Sequence, residues 1–356
     1  MSSWDPCRAG PWPDDAAGHV RFMTLLGSAE EARHALLLIA SLRAFGGHLS
    51  RSSVWVFYRP ELHVLVQQML RAGRFYDPPS DLAGVEFVPL RPSVGSGSNG
   101  GPALPEQNGN PDGAPFYLFG DKVQACAQAE ERAGSDIRCL IWLNPECLIV
   151  SPPLLFDLEP SFDAAFRPVH HQNVGSPAQE ALDEFWKGVY AAAGLDDGPF
   201  TVESFADAQT LRPYFNTHCF SIDPSKGLCR AWLECFTALA ADDRFQAGAC
   251  RDHLHRVFLH QAVLSTLAAK TLGKARIRIL PPEYSYPLHM HHKIPPGRRA
   301  HRLNDLVCPV YEDDFHYPGT LNGLPADEPL ASWLMQRTVN RDEQSVGGPA
   351  DPIGGQ

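Results

Sequence analysis

The run Cys139-Leu-Ile-Trp-Leu-Asn-Pro-Glu-Cys-Leu-Ile-Val150, followed by Ser151-Pro-Pro153, decides how this chain is read. Apolar residues lead into two closely spaced polar ones, Asn144 and Glu146, and then into apolar residues and prolines. A strand buried on both faces carries polar groups only where it emerges, because an unpaired buried polar group is costly. In open α/β sheets the carboxyl edge of the strands is where ligands collect. The segment therefore predicts a buried strand with ligand-facing residues at its carboxyl end. The alternative is a strand-to-turn exit whose Asn and Glu face water, and the rest of the sequence has to choose between them.

Working outward, the chain alternates strand and helix patterns. A strand over Val20–Leu26 ends at Gly27-Ser28, and Ser28 caps a helix over 30–44 that Gly46-Gly47 terminates. Ser53–Tyr58 reads as a strand, 61–72 as a helix and 85–90 as a third strand. This β-α-β-α-β opening predicts a mostly parallel sheet with right-handed crossovers, an α/β fold of Rossmann type flanked by helices. Helical spacing resumes at 121–133, before the Asn144/Glu146 strand. There follow a strand at 162–168, a helix at 178–193, a strand at 217–223, helices at 227–241 and 252–270, and a strand at 277–280. The stretch 93–114 is rich in Gly, Asn and Pro and reads as a flexible insertion. Residues 1–18 read as an extension, 19–335 as one domain, and 336–356 as a disordered tail.

With 356 residues the chain has length enough for a sizeable core. Its formal charge of −11 lacks the electrostatic footprint of a general nucleic-acid binder. No apolar run approaches the roughly 20 residues that span a bilayer, so no integral membrane association is expected. The N-terminus shows no signal-peptide pattern. The nine cysteines are scattered without a CxxC pair, which fits a reducing compartment, and the expected location is the cytoplasm. There is no phosphate-loop Gly-x-x-x-x-Gly-Lys-Ser/Thr, the Gly27-Ser28 turn after the first strand lacks the Gly-x-Gly-x-x-Gly fingerprint, and there is no Gly-x-Ser-x-Gly elbow and no His-Glu-x-x-His helix.

Several segments, taken in order, carry a family pattern. They are Phe119-Gly-Asp-Lys-Val-Gln-Ala-Cys-Ala127, Ile141-Trp-Leu-Asn-Pro-Glu146, Tyr214-Phe-Asn-Thr-His-Cys-Phe-Ser-Ile222, Phe258-Leu-His-Gln-Ala-Val-Leu-Ser265 and Ile279-Leu-Pro-Pro-Glu-Tyr-Ser-Tyr-Pro287. Together they resemble the GT-A type of nucleotide-diphospho-sugar transferase, in particular its retaining, glycogenin-like and galactosyltransferase-like branch. The matches correspond to its lysine-bearing helix, Asp-x-Asp strand, Asn-Ala-Gly strand, Asp-Gln helix and closing strand.

The resemblance implies that a nucleotide lies over the first strand edge, at Leu25, Gly27, Ser28 and Tyr58. The diphosphate then lies near Lys122, Asn144, Glu146 and the His289–Lys293 loop, with His289 and Lys293 as contacts. The sugar lies near Asn216, Gln261 and the loop carrying Arg167, His170, His171 and Asn173. Asp207, Asn216 and Gln261 are the expected catalytic groups.

Mn²⁺ or Mg²⁺ is the family's cofactor, since a hard cation prefers charged oxygen ligands, and Asn144, Glu146 and His289 are its candidate ligands here. The chain departs from the pattern at two acidic positions: the first Asp-x-Asp carboxylate is the amide Asn144, and the Asp of the Asp-Gln pair is His260. The resemblance implies a nucleotide-sugar donor and an acceptor hydroxyl as substrates. The alternative is a catalytically degenerate transferase fold that binds a sugar nucleotide or a protein. For Lys122 the alternative is an exposed surface lysine, for His218 a core histidine, and for 289–293 a solvated loop.

Overall fold

In the computed structural model, which describes residues 18–72, 82–91, 117, 119–311 and 323–338, the predicted α/β sheet is present with helices on both faces. The insertion read at 93–114, the extension up to residue 17 and the tail from 339 lie outside the described residues.

Seven strands form the sheet: β1 (Val20–Leu26), β2 (Ser53–Tyr58), β3 (Val85–Pro89), β4 (Cys139–Leu143), β5 (Ala164–Pro168), β8 (Phe215–Ile222) and β9 (Ile277–Ile279). Their spatial order is β3-β2-β1-β4-β8-β5-β9. All neighbouring pairs are parallel except those made by β8, which runs antiparallel between β4 and β5. Two short strand pairs stand outside the sheet, β6 (Val202–Glu203) with β7 (Thr210–Leu211) and β10 (Tyr284–Pro287) with β11 (Cys308–Val310).

Alternation along β1 shows why two helical layers form. Met23 joins a core made by α3 (Gly120–Arg132), α4 (Glu184–Ala193), α5 (Leu228–Ala240) and α7 (His253–Thr271), whereas Phe22 and Leu26 pack with α1 (Glu31–Phe45) and α2 (His63–Ala72) on the other face. The first core holds the fully buried Trp142, Trp186 and Trp232. A short helix α6 (Asp243–Ala247) and a last one, α8 (Leu330–Thr338), complete the described α-helices. The run from α8 crosses the boundary at 335/336 that composition suggested, because Leu330 and Leu334 bury their side chains against Tyr286, Leu303 and Tyr311.

Local chemistry explains most of the boundaries. Ser28 Oγ accepts from the Glu31 N–H at 3.3 Å and α1 begins at Glu31, one residue later than expected. Asp183 and Asp252 cap α4 and α7 through bonds from Trp186 N and His255 N. The helix expected from 178 therefore begins only at Glu184.

Candidate functional site

β1 is the strand from which the chain winds outward in both directions, to β2 on one side and β4 on the other. The carboxyl ends of β1 and β4 therefore flank a topological switch point, where open α/β sheets hold their ligands. A cavity of about 370 Å³ lies there, lined by Leu25, Glu31, Phe119, Lys122, Trp142, Asn144, Pro145, Glu146, His218 and Val310.

The residues after β4 form a β-turn. Asn144 occupies its first position and Pro145 its second, and the Cys147 N–H donates to Asn144 O at 3.0 Å. The Asn144 N–H donates to His218 O at 2.8 Å, and the Tyr311 N–H to Glu146 O at 3.1 Å, so β8 and the end of β11 both fix the turn. Asn144 and Glu146 thereby line one cavity. The Asn144 side-chain oxygen is already engaged, accepting from Trp142 Nε1 at 2.9 Å.

Lys122 is buried, unlike the exposed surface lysine of the alternative reading. Its Nζ donates to Thr217 O at 3.3 Å and sits 4.5 Å from the Phe119 ring centroid and 5.8 Å from that of Trp142. Burial pulls its pKa down to about 8, with Glu146 among the nearby anions that oppose the shift.

The second carboxylate in the cavity comes from α1. Glu31 Oε2 accepts from the Gly27 N–H at 2.6 Å. Burial raises the Glu31 pKa, and the Glu146 charge raises it further, against the Gly27 bond and Arg59, which lower it. Arg59 in turn pairs with Asp121 at the start of α3.

Beneath the cavity the residues are neutral and committed. His260 Nδ1 lies 2.8 Å from Val257 O and must donate to it, so Nε2 accepts from the Thr217 hydroxyl at 2.9 Å. Burial and the Lys122 charge hold His260 well below the ordinary range. Where the family pattern has a carboxylate, this chain has a packed neutral imidazole against Phe119 and Trp232. His218, read from the sequence more readily as a core histidine, lines the cavity, and burial with the Lys122 charge brings its pKa to about 3. The His218 backbone N–H donates to Asn216 Oδ1 at 2.7 Å, and Ser285 Oγ lies 3.3 Å from His218 Nδ1 and 3.4 Å from Asn216 Oδ1. Ser285 has a left-handed backbone (φ +56°) within the irregular pairing of β10 and β11, which aims its hydroxyl at this pair.

The cavity thus gathers Leu25, Lys122, Asn144 and Glu146 from among the expected residues, with Gly27 and Ser28 beside it holding Glu31. Others are placed elsewhere. Tyr58 is buried, its hydroxyl 2.9 Å from His63 Nδ1 and spent on holding α2. Arg167 lines a different cavity, described below. Asp207 is a loop clamp: Ser204 Oγ donates to one of its oxygens and the Gln172 N–H to the other at 2.9 Å, with His171 Nδ1 3.7 Å away. Asn173 is exposed in a left-handed turn position (φ +44°), a backbone role that asparagine tolerates. Lys293 is exposed at the end of a 3₁₀ turn over Leu288–Lys293. Gln261 is buried beside Tyr214, and its carbonyl accepts from Ser265 Oγ at 2.7 Å. His170 is buried with its ring stacked 6.0 Å from His218, and neither of its nitrogens has a hydrogen-bond partner among the described residues. Burial, then His218 and Arg167, keep its pKa far below the ordinary value. The His289 charge acts on both His170 and His218, which places that residue at the histidine group and outside the cavity lining.

Glu31, Phe119, Trp142, His218 and Val310 complete the lining without having been singled out as ligands by sequence. Glu31 carried one signal, an acidic residue in the first turn of the helix that leaves the first strand's carboxyl end.

Glu31 and Glu146 with an engaged Asn144 do not make a preformed divalent-cation centre. No group of three or more His, Cys, Asp or Glu able to hold a metal occurs among the described residues, and a buried ammonium stands in the same cavity. No described helix is long and apolar enough to cross a membrane.

No protein-family model and no curated protein matches this sequence. Solved structures do align with it. Mouse xyloside xylosyltransferase 1 in its apo form is 12% identical, over 75% of this chain and 87% of that one, with a TM-score of 0.39. Glycosyltransferase GlyE of Streptococcus pneumoniae TIGR4 is 9% identical, over 90% of this chain and 60% of that one, with a TM-score of 0.43. Galactosyltransferase LgtC, in complex with donor and acceptor sugar analogues, is 11% identical, over 90% and 95%, with a TM-score of 0.44. All three are glycosyltransferases, and all three likenesses are distant.

Proposed function

We propose that this chain binds a nucleotide-diphospho-sugar in the switch-point cavity and transfers the sugar to an acceptor hydroxyl. The observation that carries the reading is the convergence of Lys122, Asn144 and Glu146, three residues of the GT-A-like motifs, on one cavity at the carboxyl ends of β1 and β4. The Lys122 ammonium, desolvated and held between two aromatic rings, is a preorganised charge for a diphosphate. In the transfer, the acceptor oxygen bonds to the anomeric carbon, the bond from that carbon to the phosphate oxygen breaks, and the nucleoside diphosphate departs with the electron pair. Lys122 stabilises that leaving charge. His218, with a pKa of about 3, is too weak a base to take the acceptor proton, which goes to the departing phosphate oxygen. Glu146 and Asn144 position the donor. Glu31 and Glu146 beside the Lys122 ammonium do not fit a resident Mn²⁺ or Mg²⁺.

A second reading, donor binding without turnover, has its own support. His260, at the position of the family's carboxylate, is buried and fully engaged, and the Asn144 oxygen is occupied. Thermal-shift titrations with UDP-, GDP-, ADP- and CDP-sugars test the shared claim, since a ligand selective for the folded state adds about 2.7 kcal/mol at a hundredfold excess over Kd. A shift with one nucleotide class supports donor binding, and release of free nucleoside diphosphate on adding acceptor separates transfer from binding alone. A flat panel from folded protein refutes both readings.

A further inference from the structure

Arg167 was expected at the donor and lies elsewhere. The β5–β8 pairing shifts register between Phe166 and Arg167, so that Arg167 pairs opposite Asn216. Its side chain lines a second cavity of about 430 Å³ with Glu203, Phe205, Pro282, Glu283 and Arg298, a volume within the ~300–1,000 Å³ of small-molecule sites.

Two ionisable groups in this cavity are incompletely satisfied. Arg167 is 4% exposed, and its Nε has no hydrogen-bond partner among the described residues; its guanidinium rests 5.0 Å from the Phe205 ring centroid. Glu283 Oε2 is likewise enclosed without a partner among the described residues. The two charges feel each other, yet no ion pair joins them among the described residues. Arg298 differs, because its guanidinium donates to Glu203 at 2.9 Å and to Phe205 O at 2.7 Å. A buried donor and a buried acceptor left open are costly, and the cost is recovered by a ligand that meets both.

The charges also select the ligand's class. Arg298 and Glu203 neutralise each other, and Arg167 balances Glu283. An anion attracted to Arg167 would meet Glu283, and a cation attracted to Glu283 would meet Arg167. A sugar hydroxyl both donates and accepts. We propose that this second cavity binds a neutral sugar ring, through adjacent hydroxyls that accept from Arg167 and donate to Glu283. Arg167 pairs with Asn216, whose Oδ1 accepts from the backbone N–H of His218, a residue that lines the first cavity. Taken with the transfer reaction proposed above, on which this part of the assignment rests, the second cavity holds the acceptor.

The test uses the full chain with methyl glycosides of the neutral hexoses, methyl glucuronide and methyl glucosaminide as probes. Binding is followed by ligand-observed NMR for wild type, Arg167→Leu, Arg167→Lys and Glu283→Gln, with nucleotide-sugar titrations in parallel. A neutral glycoside is expected to bind wild type, and Glu283→Gln and Arg167→Leu to weaken it about tenfold or more. Nucleotide-sugar affinity should stay within about twofold, well under the 1.4 kcal/mol of a tenfold change. Glu283→Gln is isosteric, so a folding failure of Arg167→Leu leaves the test intact. No glycoside binding to wild type, preference for a charged glycoside, or indifference to both variants overturns the proposal. Glycoside binding that follows the variants while no nucleotide sugar binds keeps the sugar site and removes its role as acceptor site.

Discussion

The two cavities each contain a buried cation facing a glutamate, and they differ in how those charges are satisfied. Lys122 donates to a backbone carbonyl, and Glu31 accepts from a backbone N–H. Arg167 Nε and Glu283 Oε2 have no such bond among the described residues. In the first cavity burial and the Glu146 charge both raise the Glu31 pKa, whereas in the second Arg167 balances Glu283. The chain's own backbone thus already meets Lys122 and Glu31 in the first cavity, and the second leaves its charged groups for a neutral ligand to complete.

The largest test of that contrast is Lys122→Met. Removing the partner of a buried charge pair costs about 2–5 kcal/mol, so nucleotide-sugar binding should weaken about 30-fold or more. Thermal stability should hold or rise, because a desolvated ammonium is replaced by an apolar side chain of similar reach. Equal nucleotide-sugar affinity by calorimetry would break the comparison at its first term.

Next in size is Trp142→Phe. It deletes the indole donor to Asn144 and should lower unfolding free energy by about 1–3 kcal/mol in urea melts, since a buried acceptor loses its partner. The released amide oxygen then faces the first cavity, and donor affinity should change there without changing glycoside binding in the second.

Asn144→Asp sharpens the metal question. With Glu31, Glu146 and a new carboxylate in one cavity, the variant should gain a Mn²⁺-dependent rise in Tm that wild type lacks. A Mn²⁺ shift of the same size in wild type would contradict the reading of Lys122 as the cation that serves the diphosphate.

Acidity supplies a gentler probe. Lys122 is held at about 8, below its ordinary range, so its ammonium is present below pH 8 and is lost as pH rises through that value. Donor affinity should be flat below pH 8 and then fall by up to about tenfold per pH unit, a decline absent in Lys122→Arg and measurable by titration calorimetry. The smallest expected effect belongs to Ser285→Gly, beside His218. Relief of a left-handed backbone and loss of a hydroxyl contact oppose each other, and stability should stay within about 1 kcal/mol.

The parallel half of the sheet was the legible half. β1 and β2 have the bounds that alternation and turn residues predicted, and the Asn144 turn lies where the apolar run ends. Long periodic segments announce themselves, but strands of two to four residues such as β6, β7, β10 and β11 give too few positions for a period-2 pattern. The reversed direction of β8 leaves no mark on its own composition. The site divides in the same way. Lys122, Asn144 and Glu146 were readable because they sit at the ends of regular elements. Glu31 reaches the cavity through the tertiary packing of α1, and Arg167 lies away from it because β8 stands between β4 and β5 in the sheet. Neither property is local to the sequence.

The central claim is that the Lys122 cavity takes the diphosphate of a sugar nucleotide. Titration calorimetry of UDP-, GDP-, ADP- and CDP-sugars against wild type and Lys122→Met tests it most directly. Saturable binding of one nucleotide class to wild type, weakened about 30-fold or more in a folded Lys122→Met, is the predicted result. Absence of binding to wild type, or equal binding to both proteins, would contradict it.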